Sequence, residues 1–150
     1  MELGLNIPNW ELLPIFDAFV PSVEDYKGKP LLILFFNLGC PGCKGRALPF
    51  ANRIVLENAG KIDVMGIHTR FEGIEYKLED FQKAKEDCFI RWSFYKDDAQ
   101  AGTFYKYKAG GTPHWILLNA EGRLEYSIFG SDPNNALLRL DLKINELLNV

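Results

Sequence analysis

The chain has 150 residues, 47% of them hydrophobic and 25% charged, enough for one domain with a buried core. Lys and Arg number 17 against 20 Asp and Glu, and the net charge of -3 offers no positive field for phosphate backbones, which speaks against nucleic acid as a partner. The longest apolar runs, 31–36 and 115–118, fall short of the roughly 18 residues of a membrane span, and 3 cysteines are too few for a multi-bridge disulfide scaffold.

No repeat, charge block or linker interrupts the chain, so one domain is expected over 1–150. Pro8, Pro14, Pro21 and Pro30 disfavour a long helix, and residues 1–21 read as an N-terminal extension of short strands or irregular pieces. The stretch from Met1 to Pro8 has neither a basic region nor an apolar one of signal-peptide type. This implies a cytoplasmic location for the chain as it stands, and a periplasmic or other exported one if a leader has been removed.

Leu31 to Phe36 is a continuous apolar run of strand length, as in a strand buried on both faces. Pro41 then opens a helix whose apolar positions include Leu48, Ala51, Ile54 and Val55 and which Gly60 stops. Ile62 to His68 supplies the second strand of a parallel strand-helix-strand unit. Leu78, Phe81 and Ala84 fit another helix, and Phe89 to Phe94 another strand. After Gly110-Gly111-Thr112-Pro113, Trp115 to Leu118 and Arg123 to Phe129 form a hairpin around Asn119 to Gly122. Asp132-Pro133 predicts the start of a last amphipathic helix carrying Leu137, Leu140, Ile144 and Leu147.

Cys40-Pro41-Gly42-Cys43 falls where the first core strand meets the helix. There the backbone N–H groups of the first turn and the helix dipole favour negative charge on the first sulfur, and thiolate is the form that attacks a disulfide. Each unit by which a thiol pKa falls corresponds to about 1.4 kcal/mol of preference for thiolate. Cys40 is thus the expected nucleophile and Cys43, one turn on, the resolving thiol. The tetrapeptide alone reads equally as half of a zinc site. The remaining candidate ligands, Cys88, His68 and His114, are isolated in sequence, and no metal is expected.

With these features in this order, the chain resembles the thioredoxin-like superfamily and, within it, the TlpA-like thiol-disulfide oxidoreductases. The resemblance rests on Lys27-Gly28-Lys29-Pro30 before the core strand, Phe35 to Cys43 after it, and Gly110-Gly111-Thr112-Pro113 before an apolar strand and hairpin. It implies an α/β three-layer sandwich, a central mixed sheet with helices on both faces, and an inserted helix and strand between His68 and Pro113. It further implies a cis bond at Thr112-Pro113 beside the cysteines and backbone there that pairs with an extended substrate. Gly39, Pro41, Gly42, Thr112 and Pro113 are the implied substrate-binding residues, and no organic cofactor is needed.

The sequence also departs from the family pattern. Gly39 stands where relatives usually carry Trp, so the surface beside Cys40 is expected to be open. Leu34 occupies the place of a buried acid that serves the resolving cysteine, and Pro49 comes one residue later than the usual helix proline. His68, His114 and Lys44 are candidate modulators of the sulfur, with Arg46 beside them and His114 as a possible imidazolium partner of Cys40 thiolate. Cys88 reads as a small buried hydrophobe.

The expected function is thiol-disulfide exchange with protein disulfides and a dithiol or disulfide redox partner. A peroxiredoxin-like peroxide reductase is the alternative enzyme, weakened by Asn37 where those proteins place Thr or Ser. A redox-inert or metal-holding binding module is the alternative from another class.

Overall fold

The computed structural model describes residues 1–16 and 19–149; Asp17 and Ala18 of the expected N-terminal extension, and Val150, lie outside them. A six-stranded mixed sheet forms the middle layer, with strands β1 (Leu12–Leu13), β2 (Leu31–Phe36), β3 (Asp63–His68), β4 (Ser93–Asp97), β5 (His114–Leu118) and β6 (Leu124–Phe129). Their spatial order is β1-β4-β3-β2-β5-β6. Strand β2 runs parallel to β3, which runs parallel to β4, while β1, β5 and β6 each pair antiparallel with a neighbour. This is the mixed sheet expected from the resemblance.

All six residues of β2 and all five of β5 are buried, as continuous apolar runs predict for strands covered on both faces. On one face, Leu32, Leu34, Phe36, Trp115 and Leu117 pack under helices α1 (Leu48–Glu57), α2 (Leu78–Asp87) and α4 (Ala136–Leu148). On the other, Leu31, Ile33, Phe35, Ile116 and Leu118 pack under the N-terminal segment, through Ile7 and Trp10, and under α3 (Gly102–Lys106), through Phe104. The period of two along each strand assigns every core residue to one layer or the other.

The N-terminal segment is extended, as its prolines predict. It contributes the two-residue edge strand β1, an isolated bridge from Asn6 to Arg123 and a 3-10 turn at Val23–Tyr26. Two expectations need correction. The strand expected over 89–94 is β4, at Ser93–Asp97. Phe89 takes φ of 54°, and the N–H of Ile90 donates to the carbonyl of Lys85, so residues 88–92 serve as the end of α2. The last helix begins at Ala136, because Asp132 instead closes a turn in which its carboxylate accepts the N–H of Asn134 at 2.8 Å. Helix α3 was not anticipated. It is held by Asp97, whose carboxylate accepts the N–H groups of Thr103 and Phe104.

Candidate active site at the end of the central strand

The parallel register aligns Phe36 with His68, and His68 with Lys96, so the three parallel strands present their carboxyl ends together. Open α/β sheets place their sites at that edge. From there residues 37–40 turn into a helix that begins at Pro41 and continues to Glu57. Asn37 organises the turn: its side-chain amide donates to the carbonyl of Thr69 at 2.9 Å, and its carbonyl oxygen accepts the N–H of Gly39 at 2.8 Å.

Cys40 is half-buried and Cys43 fully buried, both as free thiols. The N–H of Cys43 donates to Cys40 Sγ at 3.3 Å, and the Cys40 thiol faces the carbonyl of Thr112 at 3.4 Å. Burial, followed by the hydrogen bond with Cys40, pushes the Cys43 thiol well above its ordinary range. The Thr112-Pro113 bond is cis, as expected. A Cβ on Gly42 would stand in ordinary contact with Pro113 Cδ, at 3.7 Å, but only 2.9 Å from Ser131 Oγ, so glycine here makes room for the Ser131 hydroxyl beside the cysteine loop. Gly111 is more tightly confined, since a Cβ there would stand 2.6 Å from Phe129 Cε1.

Between residues 43 and 47 the helix is of π type, and the N–H of Leu48 donates five residues back to the carbonyl of Cys43. A π turn accommodates one extra residue within an α-helix. The π turn lies just before Pro49, so the place where the proline lacks an N–H coincides with the change from π to α hydrogen bonding inside the continuous helix.

The two histidines part company. His68 shares the cysteine face of the sheet with Val64, and its Nε2 accepts the N–H of Leu38 at 3.1 Å, bracing the loop that carries Cys40. His114 alternates with Ile116 and Leu118 and so belongs to the opposite face. Its Nδ1 accepts the N–H of Gly110 at 3.1 Å, which leaves Nε2 to donate to Ser127 Oγ at 2.8 Å. The suggested imidazolium partnership between His114 and Cys40 is thus not the arrangement observed. Lys44 is exposed, whereas Arg46 reaches back beside Gly42 and donates to Ser131 Oγ at 3.3 Å. Cys88 is half-buried at the end of α2 rather than fully buried. Among the described residues, no three His, Cys, Asp or Glu side chains gather into a metal-holding group, and no helix is long and apolar enough to cross a membrane.

Burial lowers both histidines to about 4, with the Lys96 charge adding to the effect on His68. An unfolded chain protonates its histidines near pH 6.5, while these two resist until about pH 4, so the unfolded state binds more protons in between. Their contribution to stability is intact above about pH 6.5 and lost as pH falls towards 4. Urea unfolding should show a decline of up to about 3 kcal/mol per imidazole over that interval. His114→Gln, which keeps a donor and an acceptor, should flatten the decline by about half. An unchanged pH profile would show that His114 does not titrate in this way.

Sequence reasoning missed Tyr76. A Cβ on Gly39 would stand 2.8 Å from the Tyr76 hydroxyl, so the surface expected to be open beside Cys40 is occupied by an aromatic side chain from the inserted segment. Nothing in the local sequence signals this, because 36 intervening residues separate the pair.

No family model matches the chain, and no curated protein matches it. Solved structures do. A thioredoxin-like superfamily protein is 25% identical with a TM-score of 0.83, covering 99% of this chain and 98% of its own. A thiol-disulfide isomerase from Corynebacterium glutamicum is 26% identical with a TM-score of 0.79, over 98% of this chain and 96% of its own. The thioredoxin domain of a thiol-disulfide oxidoreductase from Bacteroides vulgatus is 22% identical with a TM-score of 0.73, over 96% and 98%.

Proposed function

We propose that this chain, which has the thioredoxin-like fold with the inserted helix and strand of the TlpA-like branch, is a thiol-disulfide oxidoreductase acting on protein disulfides through Cys40 and Cys43. One observation carries the reading: a reachable sulfur at the start of a helix accepts the N–H of Cys43, while the second sulfur lies buried one turn behind it. The first is fit to attack and the second to resolve.

In the reductive direction Cys40 thiolate attacks one sulfur of a substrate disulfide, forming a mixed disulfide and releasing the other sulfur as thiolate. The N–H of Cys43 and the helix dipole favour the charge on Cys40 Sγ beforehand. Cys43 then loses its proton, attacks Cys40 Sγ and expels the second substrate sulfur. The pair ends as a disulfide, and the substrate has gained two electrons and two protons. A partner dithiol regenerates the pair by the same exchange. Burial keeps Cys43 protonated until the mixed disulfide forms, which delays resolution until a substrate is in place. The half-buried backbone of Thr112, next to Pro113 and facing the Cys40 thiol, is the segment against which an extended substrate lies.

Trapping tests this directly. In Cys43→Ser the mixed disulfide on Cys40 has no resolving thiol, so incubation with an oxidised protein should accumulate a covalent adduct that a reducing agent dissolves and that Cys88→Ser leaves intact. Absence of any adduct on Cys40 would overturn the assignment.

A further inference from the structure

The inserted segment does more than extend the sheet: we propose that Tyr76 is a specificity-determining residue of the Cys40 site, forming the wall that residue 39 cannot supply and favouring polypeptide disulfides over small ones. The inference rests on the thiol-disulfide reading above. A side chain at position 39 and the observed place of Tyr76 exclude each other, since the phenol oxygen stands 2.8 Å from where the Cβ would be. Position 39 directly precedes the nucleophile, so the hydroxyl overhangs the loop one residue from Cys40.

The ring is held from two sides. It meets the His68 ring edge-on at 5.5 Å and the Phe81 ring at 6.4 Å. The same imidazole accepts the N–H of Leu38, so Tyr76 and the loop before Cys40 are braced on one group. Tyr76 and Cys40 are also both half-buried against the same core layer. Tyr76 also lines two neighbouring clefts of about 130 and 390 Å³, together with Glu75, Phe81 and Lys96. A small disulfide needs only Cys40 Sγ, whereas a polypeptide brings further backbone and side chains on either side of its cysteine, and these meet the ring beside residue 39.

The test compares reduction of insulin with reduction of bis(hydroxyethyl) disulfide, with dithiothreitol as the reductant. Tyr76→Ala should lower kcat/KM for insulin about tenfold, mainly through KM, and leave the small disulfide within about twofold. Tyr76→Phe should stay within about threefold of the parent on insulin, because the ring carries most of the contact. Gly39→Trp combined with Tyr76→Ala should recover much of the insulin activity by supplying a wall from the loop itself. If Tyr76→Ala does not fold, Tyr76→Leu takes its place, since it keeps an apolar contact with Phe81. Equal losses on both substrates, or no loss on either, would overturn the proposal. Activity of Cys40→Ser on either substrate would instead overturn the underlying reading, and that variant leaves Tyr76 untouched.

Discussion

Cys40→Ser should lower disulfide exchange by at least about a thousandfold, while the protein unfolds at the same temperature as the parent. The reason is chemical. A hydroxyl beside the N–H of Cys43 does not ionise at neutral pH and cannot leave in a disulfide exchange, so neither the first step nor its reversal is open. Cys43 cannot take over, because it is fully buried and burial raises its pKa well above the ordinary thiol range. Stability should be nearly unchanged, since the Cys40 side chain is only half-buried and serine can keep a hydrogen bond to the carbonyl of Thr112. The measurement is insulin reduction with a dithiol, alongside thermal unfolding. Turnover within tenfold of the parent would place the nucleophile elsewhere.

The second large effect concerns stability. Gly66→Val should destabilise the protein by about 3 kcal/mol, seen as a lower urea midpoint. Gly66 lies in the middle of β3, with β2 and β4 hydrogen-bonded on its two sides, so its backbone cannot retreat. A Cβ there would stand 2.5 Å from Trp92 Cζ3, 2.9 Å from Phe36 Cε1 and 3.0 Å from Phe94 Cβ. Those rings meet one another edge-on at 5.7 to 6.1 Å, and Phe36 also meets His68 at 5.3 Å, so a shift in one propagates to the imidazole that braces the cysteine loop. Loss of stability should therefore come with a partial loss of exchange rate in the molecules that remain folded. An unchanged midpoint would mean that the aromatic layer repacks at little cost.

Much of the fold was legible because it depends on local pattern. The run from Leu31 to Phe36 is apolar at every position, which only a strand covered on both faces makes use of, and β2 is that strand. The hairpin from β5 to β6 follows from turn residues at 119–122, where Gly122 takes φ of 80°. Element ends were less legible. Whether Asp132 caps a helix or closes a turn, and whether residues 88–92 are strand or helix end, depends on competing hydrogen bonds of similar energy.

The candidate site divides the same way. The order of residues alone determined that Cys40 and Cys43 stand at a strand-to-helix junction, because spacing and turn chemistry act over a few residues; the place of Thr112-Pro113 beside them came only as an implication of the family resemblance. Only the tertiary structure decided which distant side chains share the site. Strand alternation and register put His68 under the cysteine loop and sent His114 to the opposite face, although both flank apolar runs. The approach of Tyr76 to Gly39 and of Ser131 to Gly42 comes from packing between segments far apart in the chain. A count of residues leads to the expectation of one acidic domain without a disulfide scaffold, but contact across a core depends on where helices and loops come to rest on the sheet. That placement is a property of the whole packed chain, since each close approach requires both partners and the backbone between them to be held at once.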